Sequence, residues 1–111
     1  MSQNSINKAI TFLSLFRSIH PDFPLPLMFV FLEIAKSGKR GLSVSQVMER
    51  TGISQSASSR HTRILTTQSV RGRKGYDLCD WFDDKADRRV RVFRLNKKGE
   101  ALYEAIKGTL D

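Results

Sequence analysis

The octapeptide Ser54-Gln55-Ser56-Ala57-Ser58-Ser59-Arg60-His61 gathers small hydroxyl and amide side chains and ends on a guanidinium and an imidazole. Short polar side chains donate and accept hydrogen bonds while letting their backbone come close to whatever they touch. That is recognition chemistry, and nothing in the sequence adds catalysis to it. There is no nucleophile with a spaced base, no paired-carboxylate cleft and no glycine-rich phosphate loop, and His20, His61 and Cys79 lack the spacing of metal ligands. The expectation is a protein that is not an enzyme and uses no cofactor and no metal. Asp77, Asp80, Asp83, Asp84 and Asp87 crowd one short stretch, where they are expected to shape a turn.

Charge points to the partner. The 111 residues carry a formal net charge of +8. From Ile34 to Tyr76 stand Lys36, Lys39, Arg40, Arg50, Arg60, Arg63, Arg71, Arg73 and Lys74 against the single acid Glu49, so nine less one equals the whole excess. Such a local excess seeks a polyanion, either nucleic acid or an anionic membrane face. Hydrophobic residues at 40% and charged residues at 27% are globular proportions, and the length fits one domain over residues 1–111. The apolar run 9–16 is broken by Thr11 and Ser14, and 25–32 falls far short of the ~20 residues of a membrane span. A lone cysteine fits a reducing compartment. The expected location is cytoplasmic, on the nucleoid, with no membrane partner.

The polar octapeptide must be positioned by what surrounds it. A first helix is expected over 5–20, stopped by His20-Pro21 because proline disfavours helical geometry in the residue before it. Its apolar residues Ile6, Ala9, Ile10, Phe12, Leu13, Leu15, Phe16 and Ile19 span about 220° of a helical wheel, wider than the ~100° stripe of a surface helix. Two faces are then dry, one for the core and one for a second subunit. Pro24-Leu25-Pro26 opens a second, nearly all-apolar core helix that Gly38 stops near Ser37. Leu42-Ser43 starts a short third helix to Arg50, with Ser43 and Gln46 at capping-box spacing. After the turn Thr51-Gly52-Ile53, Ser54 caps a fourth helix to about Gln68 with Ala57, Ile64 and Leu65 inward.

The period then changes from helical to alternating. Tyr76, Leu78 and Phe82 alternate with Asp77 and Cys79, and a polar tip at 83–87 leads to Arg88–Leu95, which reads as a hairpin over 75–95. Asn96 caps a last helix over 97–110 with Leu102, Ala105 and Ile106 inward. The expected fold is mainly α with a β-hairpin wing. A short helix, a glycine turn and a polar second helix, over 42–68, form a helix-turn-helix whose second helix fits the major groove of DNA.

The residues that carry this arrangement also resemble a known family. Leu42 to His61, including Gly52-Ile53-Ser54-Gln55-Ser56-Ala57-x-Ser59-Arg60-His61, is similar to the winged helix-turn-helix of the MarR family of bacterial transcription regulators. Asp84-x-x-Asp87-Arg88-Arg89, then Leu95-Asn96-Lys97-Lys98-Gly99, is similar to that family's wing signature. The resemblance spans residues 42–107 and implies roles for particular residues. Ser54, Gln55, Ser56, Ser59, Arg60 and Arg63 would lie on the recognition helix, and Arg89 would enter the minor groove with Arg88 on the backbone beside it. Asp84 and Asp87 would orient these two arginines. Arg71, Arg73 and Lys74 are expected on phosphates, carried by a glycine-bearing loop.

The sequence departs from the family pattern in four places. Ser58 replaces a usual buried aliphatic residue, which is expected to weaken packing, and Ala86 replaces a frequent wing arginine. About eight extra residues separate helix and wing, and the long paired C-terminal helices that enclose effectors are missing, so a small-molecule effector is doubtful. His61 is expected packed and hydrogen-bonded, His20 a cap, Cys79 a small hydrophobe, and Trp81 and Phe82 supports of the hairpin. The implied function is a homodimeric, sequence-specific regulator of double-stranded DNA, a repressor on an inverted-repeat operator. The expected dimer residues are Ile6, Ile10, Leu13, Phe16, Leu102 and Ile106. The rival reading is an architectural or replication-associated protein of a mobile element with weak sequence specificity.

Overall fold

The structure, a computed structural model, describes residues 2–111. Helix α1 (Gln3–Ile19) starts two residues earlier than expected because the Ser2 hydroxyl accepts the Ser5 N–H at 3.1 Å. It ends at His20, whose Nδ1 accepts the Asp22 N–H at 3.0 Å, the capping role expected of it. Helix α2 (Leu25–Ser37) buries Leu27, Val30, Phe31, Ile34 and Ala35. It is not wholly core, however, since Leu25 and Phe29 stay more than half exposed.

Leu42 and Ser43 do not begin a helix. They form a short strand β1 (Leu42–Ser43) that pairs with β3 (Arg91–Leu95), which also pairs with β2 (Cys79–Asp83) in an antiparallel sheet of order β1-β3-β2. The register sets Leu42 and Trp81 on either side of Phe93, and Cys79 opposite Leu95. Helix α3 (Val44–Thr51) then opens on a complete capping box. Ser43 Oγ accepts the Gln46 N–H at 3.2 Å, and Gln46 Oε1 accepts the Ser43 N–H at 2.9 Å. Gly52, at φ 75°, takes the left-handed conformation that ends α3 and swings the chain into α4 (Gln55–Ile64). Helix α5 (Lys97–Leu110) begins where Asn96 Oδ1 accepts the Gly99 N–H at 2.9 Å.

Helices α1 and α5 pack together, and Lys8 Nζ near the start of one donates to the Asp111 carbonyl at the end of the other at 3.0 Å. The core joins this pair to α2 and the sheet. Phe16 sits edge-on to Phe31 at 5.7 Å and to Phe12 at 5.5 Å. Each such buried side chain contributes about 1.5–3 kcal/mol by leaving water. Phe16, Leu102 and Ile106, expected at a dimer interface, are buried inside this single-chain core. The broad apolar arc of α1 concealed the distinction, because a wheel separates faces but not which neighbour covers them. Ile6, Ile10 and Leu13 do remain exposed, whereas Ala105, expected inward, faces out. Among the described residues no helix is long and apolar enough to cross a membrane.

Candidate nucleic-acid interface

Helix α4 presents two polar faces with different tasks. Its outer side begins with Ser54, whose Oγ accepts the Ala57 N–H at 3.3 Å, and continues through exposed Gln55, Ser56 and Arg63 with half-buried Ser59 and Arg60. Its inner side is Ser58 and Thr62, both fully buried, while Ala57, expected inward, is only half-buried. Burial without a partner would be costly, but each inner hydroxyl donates back to a carbonyl: Ser58 to Ile53 at 3.3 Å and Thr62 to Ser58 at 2.9 Å. Ser58 therefore packs with its hydrogen bond made, which answers the weakness expected of it.

The helix stops at Ile64, four residues short of the expected Gln68. The returning chain takes up the carbonyls a helix end leaves open. Tyr76 N–H donates to Ile64 O at 2.8 Å, Leu78 N–H to Leu65 O at 2.7 Å and Asp77 N–H to Thr66 O at 3.1 Å. Tyr76 and Leu78 are thus spliced onto α4 and precede the sheet, and Cys79, expected as a small hydrophobe, is buried. This splice roots the segment that carries Arg71, Arg73 and Lys74.

That segment is not an open loop. Val70 and Arg73 exchange two backbone hydrogen bonds, each 2.9 Å, across a two-residue turn with Arg71 at φ 51° and Gly72 at φ 78°. Two successive positive φ values are those of the type I′ turn, whose twist suits a β-hairpin. The turn stands beside α4, and Ser56, Ser59, Arg60, Arg63, Ser69, Val70 and Arg71 line a cleft of about 480 Å³ between them. Ser69 and Val70 were not singled out from the sequence; the available signal was Arg71-Gly72 between residues able to pair.

The wing carries its cations differently. Asp87 accepts from Arg89 Nε at 3.1 Å and Nη2 at 3.2 Å, and the Arg89 side chain remains 91% exposed. This pairing holds the Asp87 carboxyl below its ordinary pKa. Asp84 does not orient an arginine: its Oδ1 accepts the Ala86 N–H at 2.9 Å and shapes the tip. Arg88 is exposed and forms no ion pair among the described residues. Asp77 leaves the tip altogether, accepting from Asn96 Nδ2 through its backbone carbonyl at 3.0 Å and its carboxylate at 2.9 Å. Trp81 is exposed rather than a core support, with the Arg91 guanidinium 4.0 Å from its ring centre; Arg94 sits likewise 4.6 Å from the half-buried Phe82. Cross-strand spacing of arginine and aromatic residues was the signal for these two contacts.

His61 is half-buried beneath the turn, beside Tyr76, Arg71 and Arg73, and its ring makes no hydrogen bond among the described residues, contrary to expectation. Burial and the adjacent Arg60 lower its pKa. Cys79 is buried, and burial pushes its thiol far above the ordinary range, which makes it an apolar filler. A second cleft, of about 560 Å³, opens where His20 stacks on Tyr76 at 5.4 Å, with Arg73, Lys74 and Lys98 around it. Among the described residues no group of three or more His, Cys, Asp or Glu could hold a metal.

No family model and no curated protein matches the chain. Solved structures do. The YusO protein from Bacillus subtilis superposes with a TM-score of 0.61 at 21% identity, over 99% of this chain and 79% of that one. BpsR of Bordetella bronchiseptica, whose DNA binding is regulated by 6-hydroxynicotinic acid, superposes with a TM-score of 0.59 at 22% identity, over 93% of this chain and 68% of that one. With five α-helices and a three-stranded antiparallel sheet among its described residues, the chain has the winged-helix fold that these comparisons establish.

Proposed function

We propose that the chain is a sequence-specific double-stranded DNA-binding transcription regulator that acts as a homodimeric repressor of the MarR type. The observation that carries this reading is α4. Its first turn offers Ser54, Gln55 and Ser56 to solvent, its arginines follow on the outer side, and an extended Arg89 stands on the wing that follows. The first turn of a recognition helix reads base edges, and an arginine suits a narrow minor groove. Gln55 and Arg89 then straddle one duplex, and cross-linkers placed at the two positions should capture the same short DNA. Capture by only one of them rejects the reading.

The dimer rests on α1. Ile6, Ile10 and Leu13, at helical spacing, are 41%, 57% and 49% exposed, and Leu110 of α5 is 53% exposed. An apolar stripe of this kind calls for cover, and a two-fold axis supplies it from the same stripe of a second copy. Two recognition helices would then meet half-sites ~34 Å, or about 10 bp, apart. Selection from random duplexes should return an inverted repeat with that spacing. A broad, salt-sensitive response without a motif favours the architectural or replication-associated reading.

A specific observation favours effector control. The 560 Å³ cleft joins the stacked His20–Tyr76 pair to three cations, Arg73, Lys74 and Lys98, against the single carboxylate of Asp77, with Lys98 Nζ donating to the Tyr76 carbonyl at 3.1 Å. BpsR, of the same fold, responds to a small aromatic acid. Release of a bound duplex by an aromatic carboxylate, lost in Tyr76→Ala, is the outcome expected; no release leaves the regulator without this input.

A further inference from the structure

The cleft between α4 and the Val70–Arg73 turn has a composition that the reading of bases leaves unexplained. Arg60, Arg63 and Arg71 converge on it with Ser56, Ser59 and Ser69, and no carboxylate lines it. Among the described residues none of these arginines has an ion-pair partner. Three arginines that line one cleft without an acid, Arg63 donating through Nε to the Ser59 carbonyl at 3.4 Å, favour the entry of an anion. The planar fork of arginine and a row of hydroxyls match the oxygens of a phosphodiester. A cleft of about 480 Å³ admits the edge of one strand, not a double helix.

The turn is also closely seated. A side chain at Gly75 would meet Thr66 O at 2.0 Å and Gln68 O at 2.8 Å, so the root of the turn lies flat on the Thr66–Gln68 segment that follows α4. Arg71 occupies a left-handed position that glycine or asparagine fills more readily. The fold accepts that conformation and thereby aims a cation along α4. Base edges belong to the first turn of such a helix, whereas this cleft runs from Ser56 in that turn along α4 to Arg63 and to one side, where a strand bordering the groove must pass.

We infer that α4 and the Val70–Arg73 turn form a clamp on a single phosphodiester strand of bound duplex DNA, with Arg60 and Arg63 on one wall and Arg71 on the other. The clamp rests on the DNA-binding reading above and changes it in one respect. Arg63 serves the backbone, and discrimination between sequences falls to Gln55, which stands outside the cleft. The turn is then a second arm beside the wing.

The test is a salt titration of binding to duplexes of several sequences, comparing the unaltered chain with Arg71→Ala, Gly72→Val and the double variant. Both positions are exposed, and nothing lies within 4 Å of a side chain added at Gly72. Arg71→Ala should lower the slope of log affinity against log salt by about 1 and weaken every sequence by the same factor. Gly72→Val keeps every charge but strains the turn at φ 78°; it should reproduce that loss, and the double variant should add nothing. An unchanged slope in Arg71→Ala overturns the clamp, as does a full slope in Gly72→Val. If the unaltered chain retards no duplex at low salt, the DNA reading itself falls and the clamp with it.

Discussion

Two β-arms follow α4 along the chain, and they treat charge in opposite ways. On the long arm, β2–β3, three cations are matched, Arg89 to Asp87, Arg91 to the Trp81 ring and Arg94 to the Phe82 ring, while Arg88 at the tip has no acid partner among the described residues. On the short arm, the Val70–Arg73 turn, Arg71 and Arg73 stand without an acid partner among the described residues, above a half-buried His61. A matched cation is held in one orientation before anything binds, which favours geometric selection. An unmatched cluster stores repulsion that a polyanion relieves, which favours affinity. Length and charge thus suit the two arms to the two tasks that the proposed DNA-binding surface would have to perform.

The largest expected effect falls on the root of the short arm. Gly75→Val drives a branched side chain into the Thr66 and Gln68 carbonyls, and overpacking of this kind costs about 1–3 kcal/mol. Chemical denaturation should show that loss, and DNA binding should lose the short arm's share of the salt slope. Unaltered stability would mean that the arm is not seated on α4. The long arm has its own root in Asn96, which caps α5 and holds Asp77. Asn96→Ala should cost about 1 kcal/mol by loss of the cap, with the salt slope kept. A lowered slope there would erase the contrast between the arms.

Smaller effects sharpen it. Asp87→Asn releases Arg89 and should leave the salt slope nearly intact while lowering discrimination between sites with narrow and wide minor grooves, measured by competition. If discrimination is unchanged, orientation at the tip has no role. The smallest effect concerns pH. His61 has a folded-state pKa below its ordinary 6.5, so the unfolded chain binds the proton more tightly. Stability is therefore complete above that value and declines as pH falls below it. A melting series from neutral to mildly acidic pH should show the decline, and His61→Gln should flatten it.

The legibility of this molecule was uneven for physical reasons. Caps could be read because they are local: Ser43 with Gln46, Ser54 and Asn96 each bond to a backbone group three residues away. Core membership could be read only in part, since Phe16, Leu102 and Ile106 share a hydrophobic character with Ile6, Ile10 and Leu13 and differ only in what lies over them. The end of α4 was misplaced because Thr66, Thr67 and Gln68 tolerate a helix. What ends it is Tyr76 and Leu78 returning to claim its carbonyls. The partner of Arg89 was narrowed to two aspartates, and the wing backbone chose Asp87.

The sequence by itself determined the order of helices, the glycine turn between α3 and α4, the hairpin and the concentration of positive charge, because each depends on neighbours within a few residues or on composition alone. Tertiary structure decided the β1 strand, the seating of the short arm and the cleft between that arm and α4. Those features join residues far apart along the chain, and no local pattern states which carbonyl a distant N–H will find.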